Sequence, residues 1–383
     1  MLNSEVCESI EIALDEIQSL AKELPFSYNP QVPSCKGVLR QQNSDFLVVE
    51  VLSFEPSGFG EHLFLQVEKE GSNTEWVIRQ LIKKARLTRK DIGYAGKKDR
   101  HSISHQWFSL HLPGKSELID TEDFIDSLDG EGYRVVKHIR HNKKLRVGSI
   151  LKNNFKIVLR ALTERISIAD VKKIGSTGFP NYFGYQRFGR NYNNLTLANE
   201  MLTNGKKIKN RDKKGLVLSS ARSFLFNLQL AYRVKKNTWN SEVEGDCFML
   251  NNSRSYFSNN DSSSNIKGQS KDKHLSIEKR LESADIHICG WLPGKQVSES
   301  SSKSKILEEK ILLSLNSWLE GLSKLNIDSG RRAFRTIPND FNCEQKGDIA
   351  ILSFSLPSGS YATSLLRELV DFEDLSLNLS STN

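Results

Sequence analysis

The spacing of apolar residues changes character along the chain. Residues 45–54, DFLVVEVLSF, are β-rich with few breakers, and HLFLQVEKE follows after the turn PSGFGEH, so both runs predict strands. Val77, Ile78, Leu81, Ile82 and Ala85 then share one helical face, with Asn73 or Thr74 placed to cap it. The glycine-bearing stretch DIGYAGKKDRHSIS predicts a loop. After it, HQWFSLHL predicts a strand, with Trp107, Ser109 and His111 alternating with Phe108, Leu110 and Leu112. YRVVKHIR (133–140) and FKIVLRAL (155–162) predict two more strands on either side of the basic segment RHNKKLRVG, and SIADVKKIGSTG a helix ending at glycine.

From FPNYFGYQRFGR onward the period is helical, in NLTLANEMLTNG, SSARSFLFNLQLAYRVKKN, SIEKRLESA and ILEEKILLSLNSWLEGL. Residues 251–275 are rich in Ser and Asn and read as a flexible surface insertion. β character returns in DIAILSFSLPSGSYATSLLREL as a strand, a Ser/Gly turn and a helix. The order is mixed, then helical, then mixed, with no internal repeat. It predicts an α+β fold in which one domain is inserted into another and the last strand rejoins the first sheet. At 383 residues the chain is long enough for two cores.

Composition narrows the partners. Lys and Arg number 54 against 46 Asp and Glu, a net charge of +8 that favours a polyanion without identifying it. Five cysteines with no close pair support neither a disulfide framework nor a CxxC metal knuckle, and fit reduced thiols in the cytosol. The start, MLNSEVCESIEIALDEIQSLAKEL, is acidic and amphipathic rather than a signal peptide, and no segment approaches the roughly 20 apolar residues of a membrane span. A soluble cytoplasmic protein is expected.

The chemistry centres on Asp99 in GYAGKKDRHS, crowded by Lys97, Lys98, Arg100 and His101. Cations at close range keep an aspartate ionised, and such a carboxylate can act as nucleophile or base toward a bound nucleotide. Taken alone, the segment reads first as an ordinary charged turn. His101 and His105 lie four apart, with His138 and His141 further on, but that spacing aligns metal ligands only on a helix, and HSISHQWFSL reads as loop and strand. No metal site is expected; these histidines and RHNKKLR fit an RNA track better. The run KKIKNRDKK at 206–214 reads either as a solvated loop or as a phosphate contact.

Several segments together resemble the TruD family of tRNA pseudouridine synthases. GYAGKKDRHSISHQW is similar to the family's nucleophile motif, which places the catalytic aspartate at Asp99. DFLVVEVLSFEPSGFGEHLFL resembles its first motif, including the GEH turn. GSILKNNFKIVLR resembles the segment that brings Asn153 and Phe155 to the substrate uridine. FPNYFGYQRFGR resembles the signature opening an inserted domain, and LPSGSYATSLLREL the closing motif. The chain departs from the pattern in two places. The basic partner of the aspartate, usually lysine, falls on Arg40, and Asn43-Ser44 stand where Pro-Glu often precedes the DF. The closing aromatic is Tyr361 where phenylalanine is common.

The resemblance implies a pseudouridine synthase catalytic domain over 1–178 and 338–383, with a TruD-specific domain inserted at 179–337. It implies Asp99, Arg40 and Phe155 as catalytic residues, Phe46, Asn153 and Tyr361 as substrate-binding ones, and the uridine at position 13 of certain tRNAs as target. tRNA is the expected partner and a monomer the expected state, with no cofactor. Aromatic faces hold an unstacked base, and an amide matches a uracil edge. The carboxylate could add to ribose C1′, add to uracil C6, or remove the C2′ proton. Two rival readings are an RNA chaperone that has lost catalysis, and a carboxylate glycosidase or nuclease, for which no second acidic candidate stands out.

Overall fold

The computed structural model describes residues 31–114, 122–258 and 276–379. The expected N-terminal helix and most of the Ser/Asn-rich insertion at 251–275 lie outside them. The described chain divides into two compact units. One comprises 33–175, 338–359 and the stretch from 369; the other comprises 176–337 and 360–368, together with 31–32.

The first unit opens with β1 (Lys36–Leu39), β2 (Phe46–Leu52) and β3 (His62–Glu70). A helix over Thr74–Ala85 follows, its first turn capped by the Asn73 side chain accepting from the Trp76 amide. Then come β4 (Ile92–Tyr94), β5 (Ile103–His111), β6 (Tyr133–His141) and β7 (Ile150–Arg160). These strands pair in the order β7-β2-β5-β3-β6, all antiparallel except β2 with β5. The sheet is covered on both faces. Leu63, Leu65, Val67, Phe108 and Leu110 meet Val77, Ile78 and Leu81 of the helix. Phe64 and Trp107, one residue out of phase and so on the opposite face, pack with Leu145 and Ile150.

The second unit is helical but carries strands that periodicity alone did not predict. β8 (Phe179–Pro180) leads to helices Asn193–Leu202 and Arg211–Lys235. The second of these begins inside the basic run 206–214, because Asn210 caps it by accepting from the Lys213 amide. β9 (Cys247–Leu250), β10 (Tyr256–Ser258), β11 (Ile286–Leu292) and β12 (Gly330–Ala333) form a sheet in the order β10-β9-β11-β12, and β13 (Arg335–Thr336) pairs with β8. The long helix is the spine of this core. Val217, Ala221, Leu225, Phe226, Leu228 and Leu230 along it are fully buried.

The chain then returns to the first sheet. β14 (Asn339–Lys346) and β15 (Ile349–Pro357) form a hairpin in which β15 lies antiparallel to β7, and β16 (Asp371–Asp374) runs parallel to β1. The stretch 360–368, expected with this domain, clusters instead with the helical unit. Among the described residues no helix is long and apolar enough to cross a membrane.

Candidate active site

The parallel pairing of β2 and β5 builds the site. Parallel neighbours start at the same end of a sheet, so the residues leading into β2 meet those leading into β5. Leu47 lies opposite Ile103 in that register. Arg40 and Phe46 come from the first approach, and Asp99 from the second, in the connection between β4 and β5. β3 runs antiparallel to β5 and ends here, with Glu70 opposite Ile103. β7 lies antiparallel to β2 and sets Phe155 opposite Val48 and Asn153 opposite Glu50. Five of the six residues predicted from sequence therefore belong to this unit.

Arg40 Nη2 donates to Asp99 Oδ2 at 3.0 Å. Its Nη1 donates to Asp374 Oδ2, and its guanidinium lies 4.1 Å over the Phe46 ring. The side chain is 1% exposed, whereas that of Asp99 is 38% exposed, so the cation is fixed inside while the carboxylate reaches solvent. Arg40 has a φ of 59°, in the left-handed region, which turns the chain sharply between β1 and β2. Asp45 holds that turn. It accepts from the Gln42 amide at 3.1 Å and forms a fork with Arg160 at 2.8–3.1 Å. Phe46 meets Phe155 edge-on at 6.0 Å, and Phe155 stacks on Phe354 at 5.4 Å. Asn153 Oδ1 is buried without a hydrogen-bond partner among the described residues.

The loop carrying Asp99 is pinned along its length. Gln106 Nε2 donates to the Gly96 carbonyl at 2.5 Å, and the Lys98 amide donates to Thr74 Oγ1 at 2.9 Å. The Asp99 carbonyl accepts from Ser102 Oγ at 3.0 Å and from Lys69 Nζ at 2.8 Å. Lys69 is wholly buried, and burial pulls its ammonium down to about 8 despite the favourable charge of Asp99. Lys98 pairs with Glu50, which also accepts from the Trp107 amide at 2.7 Å, while burial pushes the Glu50 carboxyl up. Gln106 and Trp107 of the motif thus act as supports for the loop.

Lys69, Glu50 and Asp374 were not read from sequence. Two of them left a signal. Lys69 continues the buried stripe Leu63, Leu65, Val67, and Glu50 continues Phe46, Val48, each a charge in phase with apolar residues at strand spacing. Tyr361 belongs to the other unit, where its ring meets Phe183 at 6.1 Å and closely overlies Gly184. His105 pairs with Glu68 at 3.1 Å on β5 and β3. Among the described residues no group of His, Cys, Asp or Glu has the arrangement to hold a metal ion.

This geometry has relatives. The family described as tRNA pseudouridine synthase D (TruD) matches residues 26–209 and 206–369. The chain belongs to the TruD family. Among proteins named tRNA pseudouridine synthase D, that of Aeromonas salmonicida is 38% identical over 351 residues, spanning 91% of this chain and 94% of its own. That of Methylococcus capsulatus is 39% identical over 343 residues, spanning 89% and 92%. The crystal structure of a TruD-type protein from Methanosarcina mazei, 20% identical, covers 96% of this chain and all of its own with a TM-score of 0.63, which establishes the shared fold. The TruD fold is thus an α+β one, here with the sheet topology described above.

Proposed function

We propose that this chain isomerises uridine to pseudouridine in tRNA and that Asp99 is its nucleophile. Membership of the TruD family carries the reaction, and the Arg40–Asp99 pair at 3.0 Å carries the assignment of the residue. The N1 glycosidic bond breaks, the uracil turns, and a C5 glycosidic bond forms. N1 gains a proton as C5 loses one, so the product is an isomer and no electrons enter or leave. Each of the three routes open to the carboxylate, addition at C1′, addition at C6 or removal of the C2′ proton, requires it ionised. Arg40 orients it by a charge-assisted bond from a buried position, where the pairing is strengthened.

The partly exposed ring of Phe155, set against Phe46 and Phe354, offers a face for the unstacked base. Asn153 lies two residues from Phe155 on β7, and a side-chain amide there matches the donor and acceptor of a uracil edge. The family resemblance also assigns Tyr361 to the substrate. The domain reading that accompanies this is a catalytic domain interrupted by a TruD-specific one, working as a cytoplasmic monomer. The family resemblance points to the uridine at position 13 of certain tRNAs.

The test is tritium release from tRNA carrying 5-tritiated uridine, since only formation of the C5 glycosidic bond expels that label. Asp99→Asn should lower release by roughly a thousandfold or more, the scale of losing a covalent catalytic group, while tRNA affinity stays within about twofold. Full release by Asp99→Asn removes the assignment, and no release by the unaltered chain removes the reaction.

A further inference from the structure

The signature FPNYFGYQRFGR contains an arginine that the uridine chemistry does not use. Arg187 sits in the single turn Tyr185–Phe188, where its carbonyl accepts from Ser220 Oγ at 2.6 Å and Asn194 Nδ2 at 3.4 Å. Its side chain lies along the helix Arg211–Lys235. There Nε donates to Ser223 Oγ at 3.2 Å and Nη2 donates to Ser219 Oγ. All three serines come from one run, SSARS, at spacings that share a helical face. Neutral hydroxyls therefore fix the direction of the guanidinium without cancelling its charge. Among the described residues its Nη1 makes no hydrogen bond, and it is not buried. The protons of Nη1 and the second one of Nη2 form an open fork at the end of the side chain.

Two further arginines crowd this one. Arg332 lies 4.0 Å over the Phe183 ring, which Arg187 shares at 5.6 Å. Arg222 donates to the Leu292 and Asp328 carbonyls at 3.0 Å each, and its Nε is buried without a hydrogen-bond partner among the described residues. Burial lowers the proton affinity of Arg332 and Arg222, and the charge of Arg187 lowers both further. The Asp328 carboxylate is taken by Lys295 at 2.9 Å. Neither Arg187 nor Arg222 has an ion pair among the described residues.

Two structural arginines of the same unit are treated differently, while buried Arg335 lacks a carboxylate among the described residues but has its donors taken by His287 Nδ1 and the Leu281 and Ile286 carbonyls. Arg233 has Asp246 at 2.7 Å, and Arg331 has Glu308 at 3.2 Å and Glu299 at 3.3 Å. A carboxylate beside each offsets the cost of placing it inside. Among the described residues no carboxylate pairs with Arg187, while the fork that would receive one is already aimed.

We propose that Arg187 is an RNA-backbone contact, its open fork taking a phosphodiester of the substrate on the helical unit. A phosphodiester accepts two parallel N–H bonds from such a fork and brings a negative charge to Arg187. Phe183 connects this position to Tyr361, the ring assigned above to the substrate, so the contact rests on the tRNA reading and adds a grip to it.

Two measurements decide it, both made by binding rather than turnover, so that failure of the isomerase reading remains distinguishable. In the unaltered full chain, phenylglyoxal labelling of Arg187, followed by mass spectrometry, should slow at least about fivefold with saturating tRNA, and should not slow with inorganic phosphate at the same concentration. Arg187→Gln should raise the tRNA Kd about tenfold and lower the slope of log affinity against log salt by about 1, as loss of one phosphate contact predicts. Labelling that tRNA leaves unchanged overturns the proposal even where Arg187→Gln does not fold. Equal protection by inorganic phosphate, or an unaltered Kd and salt slope in the folded variant, overturns it too.

Discussion

Arg40→Ala would remove one guanidinium that serves two carboxylates, and the two should respond differently. Asp374 is 9% exposed and loses the cation it pairs with, so the change leaves a buried charge uncompensated. Breaking such a pair from one side costs about 3–5 kcal/mol. Ser376 still donates to Asp374 through its amide at 3.1 Å and its hydroxyl at 2.6 Å, which places the loss near the lower end, about 3 kcal/mol. Asp99 reaches water and adds little to that sum. Domains of roughly 150–250 residues shift by about 2–4 °C in Tm per kcal/mol, so the melting point should fall by about 6–12 °C. Turnover should collapse separately, because Asp99 has lost the cation that holds it. Arg40→Ala combined with Asp374→Ala removes the orphaned carboxylate, and should recover most of the Tm but none of the tritium release. Calorimetry and the release assay on the same preparations read both effects. An Arg40→Ala chain melting within 2 °C of the parent, or a double variant that regains turnover along with stability, would refute the division of labour drawn for Arg40.

Lys69 gives a pH signature. Its ammonium titrates at about 8 in the folded chain against 10.5 when unperturbed, so between these values the unfolded chain holds more protons and stability gains with rising pH. Lys69→Met should abolish that contribution, seen as a stability difference between parent and variant that widens in the parent's favour from pH 8 to 10 in urea titrations; a constant difference contradicts the buried-ammonium account. The same variant frees the Asp99 carbonyl from one of its two donors and should lower tritium release at pH 7.5 by about tenfold, the scale of a misplaced catalytic group. At Gly60 the φ of 118° and a Cβ that would stand 2.5 Å from the His141 carbonyl forbid a side chain, so Gly60→Ala should cost about 1–3 kcal/mol in denaturant melts, and an unchanged midpoint would show that the GEH turn relaxes.

Legibility from sequence followed periodicity. β2, β3, β5 and the helix Thr74–Ala85 each bury one stripe in a partner, and the spacing of that stripe is visible in the letters. β14, NDFNCEQK, has no such stripe, because it forms the outer strand of its hairpin and most of its residues are polar and exposed or half-exposed. β11, IHICGWL, is buried along most of its length, and a continuous apolar run does not declare strand or helix. The motif identified Asp99 and its partner Arg40. What it did not identify were the charges beneath them, since a lysine or glutamate in a strand reads by default as facing water. Their phase relative to the apolar stripe was the overlooked clue. Asp374 had none, since its role depends on β16 lying beside β1, a pairing that distance along the chain conceals.

That pairing fixes an order of assembly during synthesis. Arg40 and Asp374 are separated by 334 positions, and the strands β15 and β16 that complete the first sheet leave the ribosome after the whole of 176–337. The helical unit, nearly continuous in sequence, can mature while β1 and β7 still present unpaired edges to the cell, a state that invites aggregation and calls for chaperone cover. The counter-anion that orients Arg40 is made 334 positions after it. Until it arrives the nascent chain can display Asp99 but cannot hold its arginine between two carboxylates, so activity should appear only once β16 has left the ribosome.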